Sequence, residues 1–507
     1  MLKFFFKKQL NYLICMQQSQ IVQKIKISDK ENQIFKTIMQ FRNDTNIQSI
    51  LRVAGGWVRD KLMGNESHDI DITIDNMSGE QFVLKMKEYF ESKNIKVSGF
   101  GVTRLNPEQS KHLETACIKI LDQSIDFVNL RGETYTENSR INQIIIGTPE
   151  QDAFRRDLTI NSLFYNLNTQ EIEDFTKMGL QDLQNGIIRT PLEPQITFND
   201  DPLRVLRTFR FACRFGFQIS QEILKVIELF DIKTALKTKV SKERISIEID
   251  WMLKSSKCLE GFKYYHSLGL WHIIFQLPND NQSQCSVKID DQGKYHLESY
   301  EFLLNLYQLK YLPQFQNIFG FENQEQLNFY LNLCSICMPY YNITYKKGKN
   351  FESAIIYIIA ESLKMSRKQT DDVYNACRLV EKFNQLKNEQ INNNYKNLVN
   401  FLQEARHQWE LIIYLDYIQE FIKNPDVSFQ LHEQFKNFIY QQNLQEFYNV
   451  KALIDGNEIK QIWKVESKQI RDVKQNILIW QAMNPKATKE DLQKYVEQNK
   501  EQFIINQ

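Results

Sequence analysis

The stretch from residue 51 to residue 75, LRVAGGWVRDKLMGNESHDIDITID, constrains the fold of this chain more than any other. It opens with a short apolar run at residues 51–54, which is typical of a strand. Gly55 and Gly56 follow, and they let the backbone turn tightly and approach a ligand, because no Cβ stands in the way. The next residues begin a short helix whose N–H groups can hold a phosphate. The pattern therefore predicts a strand, a ligand-binding turn and a helix in close succession.

The second strand of this stretch carries Asp69 and Asp71, which alternate with Ile70 and Ile72. Side chains of a strand point alternately to opposite faces, so the two carboxylates share one face and the two isoleucines share the other. A lone Asp-x-Asp is usually a solvated strand face. Beside a turn that can bind phosphate, two acids on one face are what Mg²⁺-dependent phosphoryl transfer requires.

The order strand, G-G-x-V-R-D, strand and D-x-D resembles the signature of the DNA polymerase β-type nucleotidyltransferases. The G-G-x-V-R-D form resembles the class II tRNA nucleotidyltransferases of eukaryotic type, the CCA-adding enzymes, and their poly(A) polymerase relatives. This resemblance implies that Asp69 and Asp71 are catalytic and hold two Mg²⁺ ions. It also implies that Gly55, Gly56 and Arg59 bind the triphosphate or ribose of a nucleotide.

Three strand-like runs follow at residues 97–105, 112–121 and 124–130, and the last of them carries Asp126. Sheets of this superfamily often place a further acid on a neighbouring strand, so the resemblance makes Asp126 a candidate third catalytic carboxylate. An ordinary exposed strand acid explains the same residue equally well. The polar stretch 132–147 predicts a loop near the site.

A second motif contains Arg155, Arg156 and Asp157, followed by Asn161. It resembles the R-R-D-x-x-x-N motif of the same family, which implies that all four residues bind the nucleotide. Arginine suits a triphosphate because its planar guanidinium binds two oxygens at once and keeps its charge. The alternative is a surface cluster of salt bridges, each of which contributes under about 1 kcal/mol to stability. Residues 174–191 resemble the third motif, a hinge, although the family commonly has glycine at the position of Lys177.

The fourth motif, DDPLRVLRTFRF from residue 200, predicts a helix with paired acids at its positive N-terminal end. Asp201, Arg204, Arg207 and Arg210 recur every third residue, so they form a polar stripe beside an apolar one. Such a stripe can be a solvated helix face. The order of its charges, however, resembles the nucleotide-selecting helix of the CCA-adding enzymes, which implies that these four residues bind the nucleotide.

The donor and acceptor groups of this helix fit that implied role. Asp201 only accepts hydrogen bonds and can take the amino hydrogens of cytosine or adenine, while Arg204 only donates and can face their ring acceptors. Uracil and guanine present a carbonyl in place of the amino group and a ring N–H in place of the acceptor. Each unpaired buried polar group costs about 1–3 kcal/mol, so UTP and GTP are expected to be rejected.

Composition excludes several other classes of protein. A length of 507 residues predicts two to four domains, and a net charge of +1 leaves nucleic-acid binding to local basic patches. No apolar run approaches the roughly 18–20 residues of a membrane span, so no membrane partner is expected. Eight scattered cysteines are typical of a reducing compartment rather than a disulfide framework.

The resemblance implies an α+β fold class: a small DNA polymerase β-type nucleotidyltransferase head with a mixed sheet and flanking helices, followed by all-α neck, body and tail domains. The residues before 29 form a basic extension that is either a mitochondrial targeting segment, with Met16 as an alternative start, or a frayed terminus. The predicted domains are an N-terminal extension at 1–28, a catalytic head at 29–175, a neck at 176–255, a body at 256–400 and a tRNA-binding tail at 401–507.

The resemblance implies an enzyme that adds C, C and A to tRNA 3′ ends from CTP and ATP, with two Mg²⁺ ions and release of pyrophosphate. Its expected partners are the acceptor and TΨC arms of tRNA, with no obligate protein partner, in the cytoplasm, the mitochondrion or both. A CC-adding enzyme, an A-adding enzyme or a poly(A) polymerase-like relative shares the same motifs. A catalytically inactive RNA-binding scaffold is the alternative from a different class.

Overall fold

The structure, a computed structural model, describes residues 25–67, 69–94, 98–103, 115–134, 143–278, 285–286, 291–310, 312, 315, 318, 320–388, 395–463, 467 and 469–499. The chain divides into two compact units, Met1–Val240 and Ser241–Gln507. The finer domain boundaries stay predictions, and most of the extension at 1–28, including Met16, lies outside the described residues. Across the described parts of the chain, no helix is long and apolar enough to cross a bilayer.

The first unit combines strands and helices. Its strands are β1 (Leu51–Ala54), β2 (Ile70–Ile74), β3 (Ser98–Thr103), β4 (Thr115–Ile120), β5 (Gln123–Asn129), β6 (Arg131–Thr134), β7 (Gln143–Ile146), β8 (Phe164–Asn166), β9 (Glu171–Glu173), β10 (Ile187–Ile188) and β11 (Gln218–Ile219). Its helices are α1 (Asp29–Asp44), α2 (Gly56–Leu62), α3 (Gly79–Ser92), α4 (Pro149–Phe154), α5 (Gly179–Asn185), α6 (Pro194–Asp200), α7 (Leu203–Phe215), α8 (Gln221–Ile227) and α9 (Phe230–Lys239).

Seven of these strands form one mixed sheet in the order β3-β4-β5-β2-β1-β8-β9. The central neighbours β2 and β5 run parallel, whereas the other neighbouring pairs run antiparallel. The three predicted strand-like runs are confirmed as β3, β4 and β5, apart from positions that lie outside the described residues. The predicted loop at 132–147 is wrong at both ends, because β6 and β7 pair there as antiparallel strands.

The alternation along β2 separates the core from the site. Ile70 and Ile72 are buried, while Asp71 is exposed. On the buried side, Phe82 of α3 packs on Phe127 of β5 with ring centroids 5.1 Å apart, and Phe41 of α1 packs on Phe82 at 5.3 Å. Burial of each such side chain contributes about 1.5–3 kcal/mol. Helices α1 and α3 therefore build the core on the face opposite the carboxylates.

The helix of the fourth motif begins later than its paired acids suggest. Asp200 is the last residue of α6, so the prediction that both acids open the next helix is wrong for Asp200. Asp201 lies between the two helices, and its Oδ1 accepts a hydrogen bond from the Leu203 N–H at 3.2 Å. Helix α7 ends at Phe215 and is capped by Gly216, which adopts a left-handed φ of +71°.

Lys177 occupies a position at which the family commonly has glycine, and its backbone conformation shows why. It adopts a φ of +58°, in the left-handed region that favours glycine. A side chain in this conformation costs roughly 1 kcal/mol, which the surrounding turn must offset. Asp174 helps to do so, because its two oxygens accept hydrogen bonds from the Thr176 hydroxyl at 2.7 Å and the Leu180 N–H at 3.0 Å.

The second unit is largely helical. Its helices are α10 (Lys242–Lys254), α11 (Cys258–Ser267), α12 (Trp271–Ile274), α13 (Gln292–Leu309), α14 (Gln324–Cys337), α15 (Ala354–Tyr357), α16 (Arg367–Lys387), α17 (Tyr395–Ala405), α18 (Trp409–Lys423), α19 (Gln430–Gln441), α20 (Gly456–Trp463), α21 (Ile470–Met483) and α22 (Lys489–Gln498). A hairpin of β12 (Thr344–Lys347) and β13 (Asn350–Ser353) interrupts them. The all-α prediction is therefore wrong for the body at this hairpin, and it is wrong for the neck at 176–255, where β10 and β11 pair in parallel. The hairpin turns at Gly348, whose φ is +64°.

A buried ion cluster joins three helices of the second unit. Asp416, Glu420 and His432 offer ligand atoms that lie within 4.8 Å of one another, as a metal site would. The ammonium of Lys387 already lies among them: it donates to Asp416, to Glu420 Oε1 at 2.7 Å, and lies 3.3 Å from His432 Nε2. The cluster is therefore a buried salt-bridge network with its own cation.

Candidate active site

Three carboxylates lie on one face of the seven-stranded sheet. Asp71 on β2 lies directly opposite Asp126 on β5 in the parallel register. Asp69, which immediately precedes β2, is close enough to both carboxylates to interact with them electrostatically. The structure thus brings together the three residues predicted to be catalytic.

Burial and the neighbouring acids raise the pKa values of Asp71 and Asp126. Asp71 keeps contact with solvent, but protein surrounds much of its carboxylate; this loss of hydration and the neighbouring Asp126 raise the pKa of Asp71 to about 6. Arg156 acts in the opposite direction. Partial burial, followed by repulsion from Asp69, also raises the pKa of Asp126. Concentrated negative charge of this kind favours a bound cation.

A buried acid holds the two arginines of the second motif. Arg155 Nε donates to Asp152 Oδ1 at 3.0 Å, and Arg156 Nη2 donates to Asp152 Oδ2 at 2.7 Å. Burial alone would raise the pKa of Asp152, but Arg156 and Arg155 outweigh it and lower that pKa. One carboxylate forms salt bridges with both guanidinium groups and so fixes their orientation, while each arginine side chain stays partly exposed to solvent.

The glycine turn makes room for Arg156. Gly55 adopts a φ of +69°, and a Cβ at this position would lie 2.7 Å from Arg156 Nη1. The same nitrogen donates to the Asn161 carbonyl oxygen at 3.2 Å. Gly56 is the first residue of α2. The turn, Arg156 and the Asp71 carboxylate therefore adjoin one another, as a site for a triphosphate requires.

Arg59 is buried beside the glycine turn, with its Nη2 3.6 Å from the position that a Cβ on Gly56 would take. Only 4% of the residue is exposed, and its guanidinium lies over the rings of Phe211 and Phe215, at 5.0 and 4.9 Å from their centroids. Its Nε donates to Asp60 Oδ1 at 2.8 Å, and its Nη1 donates to Asn161 Oδ1. Burial lowers the pKa of Arg59, with Asp60 opposing that effect.

Asn161 and Asp157 extend the hydrogen-bond network that begins at Arg59. Asn161 Nδ2 donates to Asp157 Oδ1 at 3.0 Å, and Arg207 Nε donates to Asp157 Oδ2 at 2.7 Å. Burial would raise the pKa of Asp157, but Arg207 and the Asn161 hydrogen bond lower it to about 2. Both residues are buried, so the structure places them in the support of the site, while their direct contact with a nucleotide stays a prediction.

Helix α7 presents its polar stripe beside the second motif. Arg204, Arg207 and Arg210 are half-buried along one side of the helix, which agrees with the predicted stripe. Arg204 Nη2 donates to the Arg155 carbonyl oxygen at 2.7 Å, and its Nη1 donates to the Thr197 carbonyl oxygen at 3.3 Å. Arg210 lies 4.2 Å from the Phe211 ring centroid. All the predicted site residues therefore lie within the first unit.

The donor set of the carboxylates fits magnesium. Asp69, Asp71 and Asp126 offer only oxygen atoms, which are the ligands that Mg²⁺ prefers. Burial and, after it, mutual repulsion raise the pKa values of Asp71 and Asp126, and a bound divalent cation would relieve that repulsion. These residues therefore suit a hard divalent metal ion.

Two contributions were not predicted from the sequence. Asp152 holds both arginines, and its spacing of three and four residues before them on a helical turn is a signal that could have revealed it. Phe211 and Phe215, which cover Arg59, had no such signal, because aromatic residues on an amphipathic helix usually belong to the core.

Comparisons with known proteins find a matching family, similar sequences and a similar fold. The family of the poly A polymerase head domain matches residues 51–189. The mitochondrial CCA tRNA nucleotidyltransferase of Saccharomyces cerevisiae is 36% identical over 482 residues, which cover 87% of this chain and 86% of that protein. The protein of the same name from Candida glabrata is 33% identical over 514 residues, covering 94% and 96% of the two chains. The CCA-adding enzyme of Bacillus stearothermophilus, solved with CTP, has the same fold, with a TM-score of 0.62 at 14% identity and coverage of 94% and 99%.

Proposed function

Because the chain belongs to the CCA tRNA nucleotidyltransferase family, we propose that it adds C, C and A to the 3′ end of tRNA from CTP and ATP and releases pyrophosphate. The observation that carries the proposal is the extent of the similarity, which covers 87% of this chain and so reaches well beyond the catalytic head. The carboxylates Asp69, Asp71 and Asp126, beside a glycine turn and paired arginines, supply the chemistry that such a transfer needs.

We assign the metal-binding role to Asp69 and Asp71, with Asp126 as a third carboxylate. Two Mg²⁺ ions held there would activate the 3′-hydroxyl of the tRNA and stabilise the leaving pyrophosphate. Arg155 and Arg156, fixed by Asp152, neutralise phosphate charge from the other side. The positive φ of Gly55 keeps the turn free of a side chain, so the triphosphate can approach the backbone.

We propose that helix α7, together with Asp201 just before it, selects the base. Asp201 accepts the amino hydrogens of cytosine or adenine, and Arg204 donates to their ring acceptors. Two of the Arg204 N–H groups already bond to carbonyl oxygens of Arg155 and Thr197, which hold the guanidinium in place. Arg207 and Arg210 continue the stripe and orient the nucleotide. A pair of protein side chains thus takes the place of a nucleic-acid template.

Incorporation of single nucleotides tests the proposed reaction. The protein is incubated with a tRNA that ends at the base before CCA, and the length of the product is measured. We expect two added residues with CTP alone, three with CTP and ATP together, and none with UTP or GTP. Addition of A alone would identify an A-adding enzyme, long A tails a poly(A) polymerase, and the absence of any product an inactive scaffold; each contradicts the proposal.

Replacement of Arg204 by alanine is expected to weaken base selection. Without its donors, a ring N–H of uracil or guanine no longer meets an opposing N–H group, so discrimination between CTP and UTP should fall about 10- to 100-fold, as expected for removal of one polar clash. The ratio of kcat/KM for CTP to that for UTP measures this effect. Arg189→Ala, which removes an arginine bonded to Asp182 at 3.2 Å, is the control and should leave the ratio unchanged. Undiminished selectivity in Arg204→Ala would contradict the role of Arg204.

We further propose that the substrate tRNA is recognised through its acceptor and TΨC arms, and that the protein acts in mitochondria as well as the cytoplasm. The first proposal rests on the family to which the chain belongs, because tRNA is named as the substrate of that family. The second follows the names of the Saccharomyces and Candida relatives, both of which are mitochondrial proteins. The basic residues before position 29 are in keeping with this location.

A further inference from the structure

The β12–β13 hairpin of the second unit has a buried face and an exposed face. On the buried face, the ring of Tyr345 packs against Tyr357 of α15 with centroids 5.5 Å apart, and its hydroxyl donates to Glu352 Oε2 at 2.8 Å. Lys346 and Phe351 lie directly opposite each other in the register, and their side chains point to the other face. Phe351 is 61% exposed. The buried face therefore holds the hairpin in place, and the exposed face is available to a partner.

Three lysines surround the turn of this hairpin. Lys347 Nζ lies 3.3 Å from Glu352 Oε2 and forms a salt bridge with it. Lys346 and Lys349 are exposed, and within the described parts of the chain neither forms an ion pair. A Cβ on Gly348 would have no atom within 4 Å, so the tip of the hairpin projects into open space. The tip therefore presents two cations whose charge is not neutralised by a bonded carboxylate.

Positive charge continues next to the hairpin, around Glu361. Lys242 Nζ donates to the Glu361 carbonyl oxygen at 3.0 Å, and Lys364 Nζ bonds to Glu361 Oε2 at 2.9 Å. Lys347 interacts electrostatically with the same carboxylate. Burial and, after it, repulsion from Lys364 lower the pKa of Lys242. The lysines of this region outnumber its glutamates, which are Glu243, Glu352 and Glu361.

We propose that the β12–β13 hairpin binds the sugar–phosphate backbone of the substrate tRNA: Lys346 and Lys349 pair with phosphates, and Phe351 packs against a ribose. The inference rests on the proposed function, because tRNA is the polyanion that such an enzyme must hold. Since the net charge of the chain is +1, RNA binding depends on local basic patches of this kind.

The exposed phenylalanine decides between this role and two others. Lysines alone can keep the edge of a hairpin from pairing with another chain, but that role gains nothing from a largely exposed aromatic ring opposite Lys346. An anionic lipid surface also attracts lysines, but it favours a broad apolar face rather than a single ring. A ribose between two phosphates matches one ring beside two cations.

The double variant Lys346→Ala/Lys349→Ala of the full chain tests the phosphate contacts. Its affinity for a tRNA that lacks CCA is measured by fluorescence anisotropy over a range of salt concentrations. We expect Kd at low salt to rise about tenfold, and the slope of log Kd against log salt to fall by about 1.4–1.8, because two fewer phosphates are neutralised. In the incorporation assay, KM for tRNA should rise while KM for CTP stays unchanged. A Kd and a slope equal to those of wild type would overturn the proposal.

Phe351→Ala tests the contact with the ribose. We expect Kd for tRNA to rise about threefold, less than for the loss of stacking on a base. The salt slope should stay at the wild-type value, because the substitution removes no charge. Unchanged affinity in Phe351→Ala would overturn the role of the aromatic ring.

Lys263→Ala/Lys294→Ala is the matched control, because it removes the same total charge from the second unit. Each of these lysines is paired with a glutamate of its own helix, Lys263 with Glu260 at 2.8 Å and Lys294 with Glu298 at 3.8 Å. We expect Kd for tRNA to stay within about twofold of wild type. A loss equal to that of the hairpin variant would show that total charge governs binding, and would overturn the proposal.

Vesicles of equal parts phosphatidylcholine and phosphatidylserine give the outcome for a lipid surface. If the hairpin variant loses vesicle binding while its tRNA affinity is unchanged, the hairpin is a membrane contact and the proposal is overturned. The tRNA affinity is measured without nucleotides and so does not depend on catalysis. Wild-type protein that binds tRNA but fails to incorporate CTP refutes the proposed function and leaves the comparison of Kd values decisive for the hairpin. Wild-type protein that does not bind tRNA refutes both.

Discussion

Asp71→Asn is expected to slow nucleotide incorporation about a thousand-fold, because a metal ion contributes several kcal/mol to transition-state stabilisation and each 1.36 kcal/mol corresponds to about tenfold in rate. Asparagine keeps the shape of the side chain but removes the charge that a divalent cation needs. Asp71 lies opposite Asp126 and near Asp69, so its loss also breaks the convergence of carboxylates. Single-turnover incorporation of CTP into tRNA, with tRNA affinity measured in parallel, checks the result.

The melting temperature of Asp71→Asn shows whether a loss of activity comes from the missing carboxylate or from unfolding. The pKa of Asp71 rises from 3.8 to about 6 in the folded protein, so the folded state binds more protons than the unfolded state between those values. Stability therefore falls as pH rises through this window, and the ionised carboxylate destabilises the fold at pH 7. We expect Asp71→Asn to melt at or above the wild-type temperature at pH 7, and the difference to vanish below about pH 4.

The control is Asp122→Asn, at the exposed turn between β4 and β5. Asp122 adopts a φ of +59°, which asparagine tolerates well. We expect wild-type incorporation from this variant. If Asp71→Asn also retains full activity, the metal assignment is wrong; if it loses activity together with its folded structure, the pKa argument for Asp71 is wrong.

Lys387→Met is expected to lower the free energy of unfolding by about 3–5 kcal/mol, the range for removal of one partner from a buried ion pair. The Lys387 and Asp416 side chains are 1% and 0% exposed, so the substitution leaves a carboxylate without its principal cation. Lys387 and His432 both lower the pKa of Asp416, against burial, which alone would raise it. Chemical denaturation monitored by far-UV circular dichroism measures the loss.

Lys382→Met on the same helix is the matched control. Lys382 Nζ bonds to Glu404 at 2.6 Å, but both side chains are more than a third exposed. Solvent screens such a pair, so the expected loss is below about 1 kcal/mol. Equal losses from the two variants would mean that burial does not govern the strength of the Lys387 cluster.

Local sequence patterns predicted strand β2 well. The alternation of Asp69 and Asp71 with isoleucines was enough to place both acids on one face, since strand periodicity is a local property. The register that sets Asp126 opposite Asp71 is not local: it depends on parallel pairing between β2 and β5, which the chain reaches only after α3, β3 and β4. The motif could suggest Asp126 as a ligand, but the spacing could not fix its position.

Arg59 and Lys387 mark the limits of such patterns. The motif around Arg59 predicts a ligand for triphosphate or ribose, and that role stays a prediction. The phenylalanines over which its guanidinium lies come more than 150 residues later in the chain, so no local pattern contains them. Lys387 bonds to residues of two further helices, and only Asp416 and Glu420 are a helical turn apart. Both positions depend on tertiary packing, which decides whether a charged side chain faces solvent or another charge.

The most direct test of the central claim is a crystal structure of the protein with CTP and Mg²⁺. We expect a triphosphate between the carboxylates Asp69 and Asp71 and the arginines Arg155 and Arg156. We also expect a cytosine whose amino group donates to Asp201 and whose ring acceptors face Arg204. A nucleotide bound elsewhere, or one whose base edge points away from α7, would contradict the claim that these two parts of the chain form a single template-free nucleotidyltransferase site.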